Sequence, residues 1–330
     1  MTLAGKTVLV TGATGFLGSA LTTRLTQDGV RVRALARSPQ KTKYIASLPG
    51  VEIVSGDIIN ADQMHQAVRG CEIVFHVAAS MGGSIDGQRQ INTIGTRNVA
   101  KAAAGAGVLR VVHVSSIAVY GYNQRGDVTE ATPPNPGQDP YNITKAEAEA
   151  ELREIASENH MPYSIIRPAM IYGPYSGMWT GKFFRLAKLR PTLFIGRGDG
   201  TTFPIFVGDV VDLMVLLAQH PDAVGETFNC APDPAPTWRE FLSAYSKLAG
   251  HQSWLGIPPG VVSPFVTLVG ALARPNTQLK ELPNLLRMAL GQVTFKMTKA
   301  RERLGWEPKV DLQTGIERCV PWLHDKGWLM

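Results

Sequence analysis

Short apolar runs alternate with helical segments through the first half of the chain. Runs such as Ile73–Phe75 are apolar at successive positions, which is typical of strands buried on both faces of a parallel sheet. Because strands and helices alternate, the pattern predicts an α/β fold built on a doubly wound parallel sheet. The predicted strands are Thr7–Thr11, Val30–Ala36, Val51–Ser55, Glu72–Ala78 and Arg110–Ser116, and the predicted helices are Leu17–Gln27 and Gln90–Ala106.

The second half of the chain is less regular. Tyr122–Pro140 contains four prolines and no periodicity, and a connector of this length is expected to be functional. Asp139 and Pro140 suit the cap and the first position of a helix that runs from Tyr141 to Glu158. Further strands are predicted at Tyr163–Arg167, near Pro204–Val207 and near Thr227–Asn229.

The composition is that of a folded globular protein. With 330 residues and 44% hydrophobic content, the chain can bury a large core. The formal net charge is +6, but the lysines and arginines are dispersed without a long run, which argues against a nucleic-acid partner. The seven histidines show no ligand spacing, so no metal site is predicted.

The cysteines, the N-terminus and the longest apolar stretch indicate in which cellular compartment the protein is expected. Cys71, Cys230 and Cys319 stand far apart, which fits neither a disulfide framework nor a zinc site. Because Met1 leads almost directly into the first strand, with no room for a signal peptide, we expect a cytoplasmic protein. Leu255–Ala273 contains three prolines and is expected to form a helix of the substrate-binding part, with an interfacial membrane contact as the alternative.

A glycine-rich loop separates the first strand from the first helix. In Thr11–Gly18, Gly12 suits a tight turn, Gly15 a close approach of the backbone to phosphate, and Gly18 the packing of helix against strand. The following helix presents N–H donors and the positive end of its dipole. The loop therefore predicts a dinucleotide site that also includes Thr14, Phe16 and Leu17.

The end of the second strand indicates which dinucleotide is bound. An NAD site usually has an acidic residue here for the ribose hydroxyls, but the chain has none. Arg37, with Ser38 and either Arg33 or Lys41, could instead bind a 2′-phosphate, because guanidinium pairs with phosphate through two hydrogen bonds. We therefore expect NADP, with a solvated Arg37 and bound NAD as the alternative.

A tyrosine and a lysine stand four residues apart at the start of the helix after the long loop. Tyr141 and Lys145 should share one helix face. A neighbouring ammonium is expected to lower the pKa of a phenol, as a general acid or base requires. The hydroxyl that orients a substrate carbonyl is expected from Ser115 or Ser116, at the carboxyl end of a strand.

Further motifs accompany the glycine loop and Tyr141–Lys145. Together with TGATGFLG and YNITK, they resemble the extended short-chain dehydrogenase/reductase family over nearly the whole chain. The resemblance implies a Rossmann fold and favours Ser116, because the family's catalytic hydroxyl precedes the tyrosine at this spacing. These motifs are Gly56–Ile58, His76–Ala79, Asn92 with Gly95–Asn98, Ser115–Gly121, Arg167–Pro174, Phe206–Asp209 and Leu304–Pro308.

The same resemblance implies further contacts and a domain division. Asp57 would contact the adenine with Ile58 beside it, Ala78 and Ala79 would line the cofactor cleft, and Pro168 would lie near the nicotinamide. We predict a dinucleotide-binding domain of residues 1–170 and 205–230, and a smaller C-terminal substrate-binding domain of 171–204 and 231–330. A homodimer through the helix that carries Tyr141 and Lys145 is also implied.

Departures from the nucleotide-sugar branches of the family narrow the expected substrate. Met170 stands where those branches often carry asparagine, and Thr201–Pro204 lacks their arginine for a diphosphate. An apolar wall is expected from Met81, Met170, Met178, Trp179 and Phe183, as is common in small-molecule sites. The sequence also resembles the 3β-hydroxysteroid dehydrogenase and dihydroflavonol reductase branches, which act on hydrophobic alcohols or ketones.

The leading hypothesis is an NAD(P)-dependent oxidoreductase that interconverts a ketone and a secondary alcohol on a largely apolar substrate. Tyr141 would transfer the proton, Lys145 would lower its pKa and hold the ribose, and Ser116 would bind the reacting oxygen. The alternative is a nucleotide-sugar epimerase or dehydratase that reduces and reoxidises its NAD(P) within one turnover. A non-catalytic NADP-binding protein is the third possibility.

Overall fold

The computed structural model describes residues 1–38, 40, 42–273 and 282–329, so the phosphate-binding candidate Lys41 lies outside the described residues. The strands are β1 (Thr7–Thr11), β2 (Arg31–Ala36), β3 (Val51–Ser55), β4 (Ile73–His76), β5 (Arg110–Val114), β6 (Gly126–Val128), β7 (Tyr163–Pro168), β8 (Met170–Tyr172), β9 (Thr192–Ile195), β10 (Pro204–Phe206), β11 (Glu226–Cys230), β12 (Trp254–Ile257) and β13 (Val293–Phe295). The helices are α1 (Phe16–Gln27), α2 (Lys43–Ala46), α3 (Ala61–Val68), α4 (Ile85–Arg89), α5 (Gly95–Gly105), α6 (Pro140–Glu158), α7 (Phe183–Ala187), α8 (Val207–Gln219), α9 (Trp238–Leu248), α10 (Pro259–Leu272), α11 (Leu282–Leu290), α12 (Thr298–Leu304), α13 (Leu312–Glu317) and α14 (Val320–Asp325).

Seven parallel strands form the central sheet of the described chain, in the spatial order β3-β2-β1-β4-β5-β7-β11. The order of connection reverses between β1 and β4, because the chain moves outward to β3 and then returns to the other side of β1. Ligands of doubly wound sheets bind at this switch point, beyond the carboxyl ends of the strands. The predicted α/β fold with a doubly wound parallel sheet is confirmed.

The apolar runs of the central strands cover both faces of the sheet. Strands β4 and β5 are buried at every position. Phe75 belongs to the core cluster that includes residues of α1 and α8, whereas its neighbour Val74 belongs to the cluster with α3, α5 and α6. The first cluster also contains Phe241 and Trp322, so the core continues across the expected domain boundary at residue 170. The division into two domains stays a prediction.

The two strands predicted after residue 200 belong to different sheets. Strand β10, expected near Pro204–Val207, pairs with β8 in a separate two-stranded sheet, whereas β11 joins the central sheet beside β7. The long segment Tyr122–Pro140, expected to be a loop throughout, contains β6, which pairs with β13. This pairing ties the segment to the C-terminal part of the chain, which places both at one end of the sheet's carboxyl edge.

The predicted helix Gln90–Ala106 is divided. A widened π-helical turn at Gln90–Ile94 connects α4 to α5. The buried Asn92 in this turn accepts a hydrogen bond from the Ser80 amide at 2.7 Å and donates to the Ser80 carbonyl at 2.9 Å and to the Thr144 hydroxyl at 3.0 Å. Turns of this kind often occur at functional sites. Here the turn joins the loop after β4 to the first turns of α6.

Helix α6 begins where the sequence predicted. The Asp139 carboxylate accepts hydrogen bonds from the backbone N–H groups of Tyr141 and Asn142 at 2.8 and 3.2 Å, and Pro140 occupies the first helical position. The predicted cap is therefore confirmed. Because the cap fixes the first turn of α6, it also fixes the position of Tyr141 and, one turn later, of Lys145.

Candidate active site

One cavity of about 1500 Å³ lies at the carboxyl edge of the central sheet. It extends from the turn after β1, past the ends of β4 and β5, to α11 and β13. Its volume exceeds the roughly 300–1,000 Å³ of a typical small-ligand pocket, so a dinucleotide and a second molecule fit together. Fourteen of the residues predicted to bind the cofactor line it: Gly12, Thr14, Gly15, Phe16, Leu17, Gly18, Arg37, Asp57, Ile58, Ala78, Ala79, Tyr141, Lys145 and Pro168.

The glycine loop brings three pieces of backbone close together. Gly12 has φ +68°, and a Cβ there would lie 2.8 Å from the backbone of Ala78. A Cβ on Gly18 would lie 2.1 Å from the Gly12 carbonyl oxygen, so a side chain would push α1 away from the turn. Helix α1 has no side-chain cap at Gly15, and the residues of its first turn, Phe16–Gly18, line the cavity. This cradle fits the pyrophosphate of a dinucleotide.

The far end of the cavity carries an arginine and an aspartate. Arg37 is largely exposed, and its guanidinium lies 3.9 Å from the Asp57 carboxylate. Arg33, a second phosphate candidate, instead pairs with Glu52 and donates to the carbonyls of Ala67 and Arg69. These contacts turn its side chain away from the cavity, so this expectation is wrong. Of the named cationic candidates among the described residues, Arg37 lines the cavity.

Ser38, the remaining candidate at this end, also turns elsewhere. Its hydroxyl donates to the side-chain oxygen of Gln40 at 2.5 Å, and it does not belong to the described lining of the cavity. Ile58, by contrast, is buried and packs against Gly95 of α5. A Cβ on Gly95 would lie only 2.6 Å from the Cδ1 atom of Ile58. This end of the cavity is therefore bounded by α5 on one side and by Arg37 on the other.

Ser116 and Tyr141 meet at the end of β5. Ser116 is extended at φ −160°, and its hydroxyl accepts a hydrogen bond from the Ala118 N–H at 3.1 Å. Burial raises the pKa of Tyr141 to about 12, although a hydrogen bond with the Ser116 hydroxyl acts to lower it. The two hydroxyls therefore lie within reach of one substrate oxygen, and the phenol is protonated at neutral pH.

Lys145 lies beneath Tyr141 on the same helix and is fully buried. Its ammonium donates to the Val114 carbonyl at 2.6 Å, and burial lowers its pKa to about 8, while Glu149 acts to raise it. The expectation that Lys145 brings the pKa of Tyr141 toward neutrality is wrong for the protein alone. Burial has the larger effect on Tyr141, and the Lys145 ammonium is hydrogen-bonded to the strand.

A buried ion pair supports this part of α6. The Arg167 guanidinium donates to both carboxylate oxygens of Glu149 at 2.8 and 2.7 Å, and to the Tyr120 hydroxyl at 2.7 Å. Although burial raises it, the pKa of Glu149 is held below its usual range by Arg167. Arg167 lies within one of the motifs named above, but its position in the sequence predicts no such role. Because Glu149 is one turn from Lys145, the pair bears on the position and charge of that lysine.

Two neutral histidines lie below the site. The His76 ring is hydrogen-bonded to the Thr11 and Thr96 hydroxyls at 2.7 and 2.9 Å, and burial lowers its pKa to about 3. His113 lies 5.2 Å away between ring centroids, and burial lowers its pKa as well. Both rings are uncharged at neutral pH, so they act as parts of the sheet rather than as proton donors.

The expected apolar wall is formed in part. Met81, Met170, Met178 and Trp179 line the cavity, but Phe183 does not belong to its described lining. Phe183 is stacked between Trp179 and Trp238, with ring centroids 5.3 and 5.8 Å away. Its predicted contact with the substrate is wrong, because α7 directs it toward the core behind Trp179.

The cavity is closed by elements that sequence reasoning did not single out. They come from the segment around β6, from the residues before β10, and from α11 with β13. The amphipathic pattern of Leu282–Leu290 was the available signal for α11. The additional lining residues include Gln124, Arg125, Phe203, Arg287, Met288, Leu290, Gln292, Val293 and Phe295.

Residues 8–231 match the NAD dependent epimerase/dehydratase family, which covers the glycine loop, Ser116, Tyr141 and Lys145. The chain belongs to this family. Its resemblance to the extended short-chain dehydrogenase/reductases is thereby confirmed. The family is an NAD-dependent enzyme family, and the geometry of the glycine loop fits a dinucleotide.

Relatives within the NAD dependent epimerase/dehydratase family include both epimerases and steroid dehydrogenases. UDP-glucose 4-epimerase of Mycolicibacterium smegmatis is 33% identical over 336 residues, which cover 97% of this chain and 99% of that protein. 3beta-Hydroxysteroid-dehydrogenase/decarboxylase isoform 1 of Arabidopsis thaliana is 30% identical over 292 residues, covering 82% of this chain and 66% of that protein. The structure of MoeE5 in complex with UDP-glucose and NAD superimposes with a TM-score of 0.75 at 26% identity, covering 97% and 99% of the two chains.

Within the described residues, no group of three or more histidine, cysteine or acidic side chains is arranged to hold a metal ion. None of the described helices combines the length and the hydropathy needed to cross a membrane.

Proposed function

We propose that this family member catalyses reversible hydride transfer between a nicotinamide dinucleotide and a largely apolar substrate, interconverting a ketone and a secondary alcohol. The observation that carries the proposal is that Ser116, Tyr141 and Lys145 share one cavity with the glycine loop and with an apolar wall that includes Met170 and Trp179. The dinucleotide, when bound, supplies or accepts the hydride. The residues of the chain then have to bind and orient the substrate and move the proton.

Tyr141 is the proposed proton donor to the substrate oxygen in the reductive direction. With a pKa raised to about 12 by burial, its phenol carries a proton at neutral pH and donates it as negative charge develops on the oxygen. The Ser116 hydroxyl, hydrogen-bonded to Tyr141, orients that oxygen. In the oxidative direction the phenolate must form first, so a more alkaline pH favours oxidation.

Lys145 is proposed to act at short range through its charge. A lysine ammonium has three donors, and one is used by the Val114 carbonyl at 2.6 Å. The remaining donors can serve a ribose hydroxyl and stabilise negative charge near Tyr141. With a pKa of about 8, Lys145 is mostly charged at neutral pH and loses this role as the pH rises.

We propose that NADP is preferred over NAD. Arg37 lines the adenosine end of the cavity, and the end of β2 carries no acidic residue for the ribose hydroxyls. A guanidinium here could pair with a 2′-phosphate through two hydrogen bonds. Its present ion pair with Asp57 is long, at 3.9 Å, and exposed, so little energy is needed to redirect it.

The substrate side supports an apolar ketone or alcohol. Met170 is buried and accepts a hydrogen bond from the Thr202 hydroxyl at its sulfur, at 3.4 Å. Trp179, Phe203 and Val293 add apolar surface around it. An uncharged substrate body is stabilised by burial on such a wall, at about 25 cal/mol per Å² of apolar area.

The test is turnover of ketone and alcohol panels followed by NADPH absorbance. Tyr141→Phe should abolish turnover and leave cofactor affinity nearly unchanged, because the phenol oxygen is lost and the ring stays. Ser116→Ala is expected to lower turnover with a smaller effect on binding. Retained turnover in Tyr141→Phe, with the variant folded by circular dichroism, would refute the proposed proton transfer.

A specific observation favours a second candidate. Arg125 and Arg287 line the substrate end of the cavity, and two guanidiniums suit a diphosphate. Since UDP-glucose 4-epimerase is among the relatives, a nucleotide-sugar epimerase or dehydratase that recycles its NAD(P) is the alternative. Substrate conversion without net change in NADPH absorbance, lost in Arg287→Ala, would favour this alternative over the oxidoreductase.

A further inference from the structure

Helix α10 exposes a continuous apolar face. Val261, Phe265, Leu268 and Leu272 are 67, 65, 58 and 77% exposed. Their spacings of four, three and four residues place all four side chains within about 60° of arc on an α-helix. Val266 and Gly270, on the opposite side, are buried. Four large exposed apolar side chains in one row are unusual on a monomer and mark a contact surface.

The helix is too short to cross a bilayer and carries no charge. Its 14 residues span about 21 Å, whereas the hydrocarbon core is about 30 Å thick. None of the residues Pro259–Leu272 is charged. A helix of this kind, with one apolar face outward and the other packed on protein, is suited to lie in the plane of a membrane interface.

The sequence around α10 is basic. Residues 241–300 contain a single acidic residue, Glu281, and residues 160–198 contain none. The spatial neighbours include Arg197, which follows the Gly196 that lies near Pro259, and Arg239, whose guanidinium stacks on Trp254 at 5.4 Å. Both guanidiniums share one acidic partner, Asp199, at 4.0 and 3.3 Å. Arg167, in the first segment, is buried against Glu149 and does not contribute to the surface charge. The other lysines and arginines in these two segments are Lys182, Arg185, Lys188, Arg190 and Arg197, and then Lys247, Arg274, Lys280, Arg287, Lys296 and Lys299, the last two paired with Asp233 and Glu226. This bias complements an anionic surface.

The apolar face is connected to the candidate active site. Helix α10 packs against α11, and α11 contributes Arg287, Met288 and Leu290 to the lining of the cavity. The outer side of this helix pair is therefore the exposed row on α10, and its inner side is part of the cavity wall. A surface that rests on lipid through α10 would hold the substrate end of the cavity close to the acyl chains.

We propose that the α10 face, defined as Val261, Phe265, Leu268 and Leu272, docks this protein on the surface of a membrane that contains anionic phospholipid. The four side chains enter the interface and the surrounding cations meet the headgroups. The proposal goes beyond the reaction, because membrane docking and hydride transfer are measured separately. A second copy of the chain covering the same face is the competing occupant.

The first test is sedimentation of the full chain with vesicles, without cofactor or substrate. We expect binding to vesicles of phosphatidylcholine with phosphatidylglycerol, weaker binding to phosphatidylcholine alone, and loss of the difference in high salt. Substitution F265S/L268S/L272S is expected to lower the partition coefficient at least about tenfold. The matched control is Y44S/L109S/V224S, three similarly exposed positions elsewhere, which should bind as the unmodified protein does.

The second test places a probe on the face itself. Because Cys71, Cys230 and Cys319 are buried, an environment-sensitive fluorophore on Leu268→Cys is attached selectively, with Leu109→Cys as control. Emission should rise on vesicle addition at position 268 and stay constant at 109. The proposal is overturned if neither assay detects binding of the protein to anionic vesicles. The face would instead belong to a second copy of the chain if two results came together. Analytical ultracentrifugation would show a dimer that F265S/L268S/L272S converts to a monomer, and the unmodified protein would not bind vesicles.

Discussion

Replacing Arg167 tests whether the buried ion pair holds the helix of the active site. In Arg167→Met the side chain keeps its length but loses its three hydrogen bonds, two to Glu149 and one to Tyr120. The side chains of Arg167 and Glu149 are each 3% exposed, so water cannot replace the lost donors. The Glu149 carboxylate is then left in the interior with Arg153, whose guanidinium donates at 2.9 Å and is 38% exposed.

The expected cost follows from this arrangement. Removing one partner of a buried ion pair destabilises a protein by about 3–5 kcal/mol. Because Arg153 remains beside Glu149, we expect the lower end, about 3 kcal/mol, which is a large part of the stability of an ordinary domain. The double variant E149Q/R167M removes both charges of the buried pair, and Arg153, which loses its carboxylate partner, is 38% exposed and keeps its hydrogen bond to the Thr227 hydroxyl. The cost should therefore be clearly smaller than the sum of the costs of the single variants.

Urea unfolding followed by circular dichroism measures these free energies. The control is Arg303→Met, which removes an exposed ion pair with Glu226 and should cost no more than about 1 kcal/mol. The ion pair does not hold this helix if Arg167→Met loses no more unfolding free energy than this control, or if the losses of E149Q and R167M simply add in the double variant. Since Glu149 raises the pKa of Lys145, E149Q should also move the alkaline limb of the activity profile to lower pH.

Three further outcomes are expected. Gly18→Ala should abolish dinucleotide binding in a fluorescence titration, since its Cβ would lie 2.1 Å from a carbonyl oxygen, whereas Gly105→Ala, with its nearest atom at 3.9 Å, should not. Arg37→Ala should raise KM for NADPH about tenfold and leave KM for NADH unchanged; an equal effect on both would contradict the NADP preference. Burial lowers the pKa of His76 from 6.5 to about 3, so the unfolded chain binds that proton more readily, and stability falls as pH drops below 6.5. Between pH 7 and 5 the loss should be about 2 kcal/mol, and a His76→Gln variant with the same pH dependence would contradict it.

Features that depend on neighbouring residues could be predicted from the sequence. The glycine loop lies between β1 and α1 because a tight turn, a close backbone contact and a helix start follow one another within eight residues. Asp139 and Pro140 fixed the start of α6 in the same way, since an N-cap acts only on the first turn. The glycine loop and the start of α6, which position the cofactor-binding and reacting residues, could therefore both be predicted from the sequence.

Features that depend on distant residues could not be predicted. Whether Arg33 reaches a ligand depends on Glu52 and on carbonyls of the α3 region, which bind it instead. Phe183 is apolar, but only the packing of α7 against α9 decides whether it meets the cavity or the core. The pairing of β6 with β13 joins segments about 165 residues apart along the chain, and neither strand has a periodic pattern of its own.

The pKa of Tyr141 also depends on residues that are distant in the sequence. The spacing of Tyr141 and Lys145 places them on one helix face, but it does not say where the ammonium points or how dry the phenol is. In the structure the ammonium is bonded to Val114 and burial dominates the phenol, so the protein alone keeps Tyr141 protonated. A site of this kind is prepared to give a proton to an oxygen rather than to take one. At neutral pH the phenol of Tyr141 is therefore in the protonated state that the reductive direction of the proposed reaction requires, and Lys145 stays mostly charged below a pH of about 8.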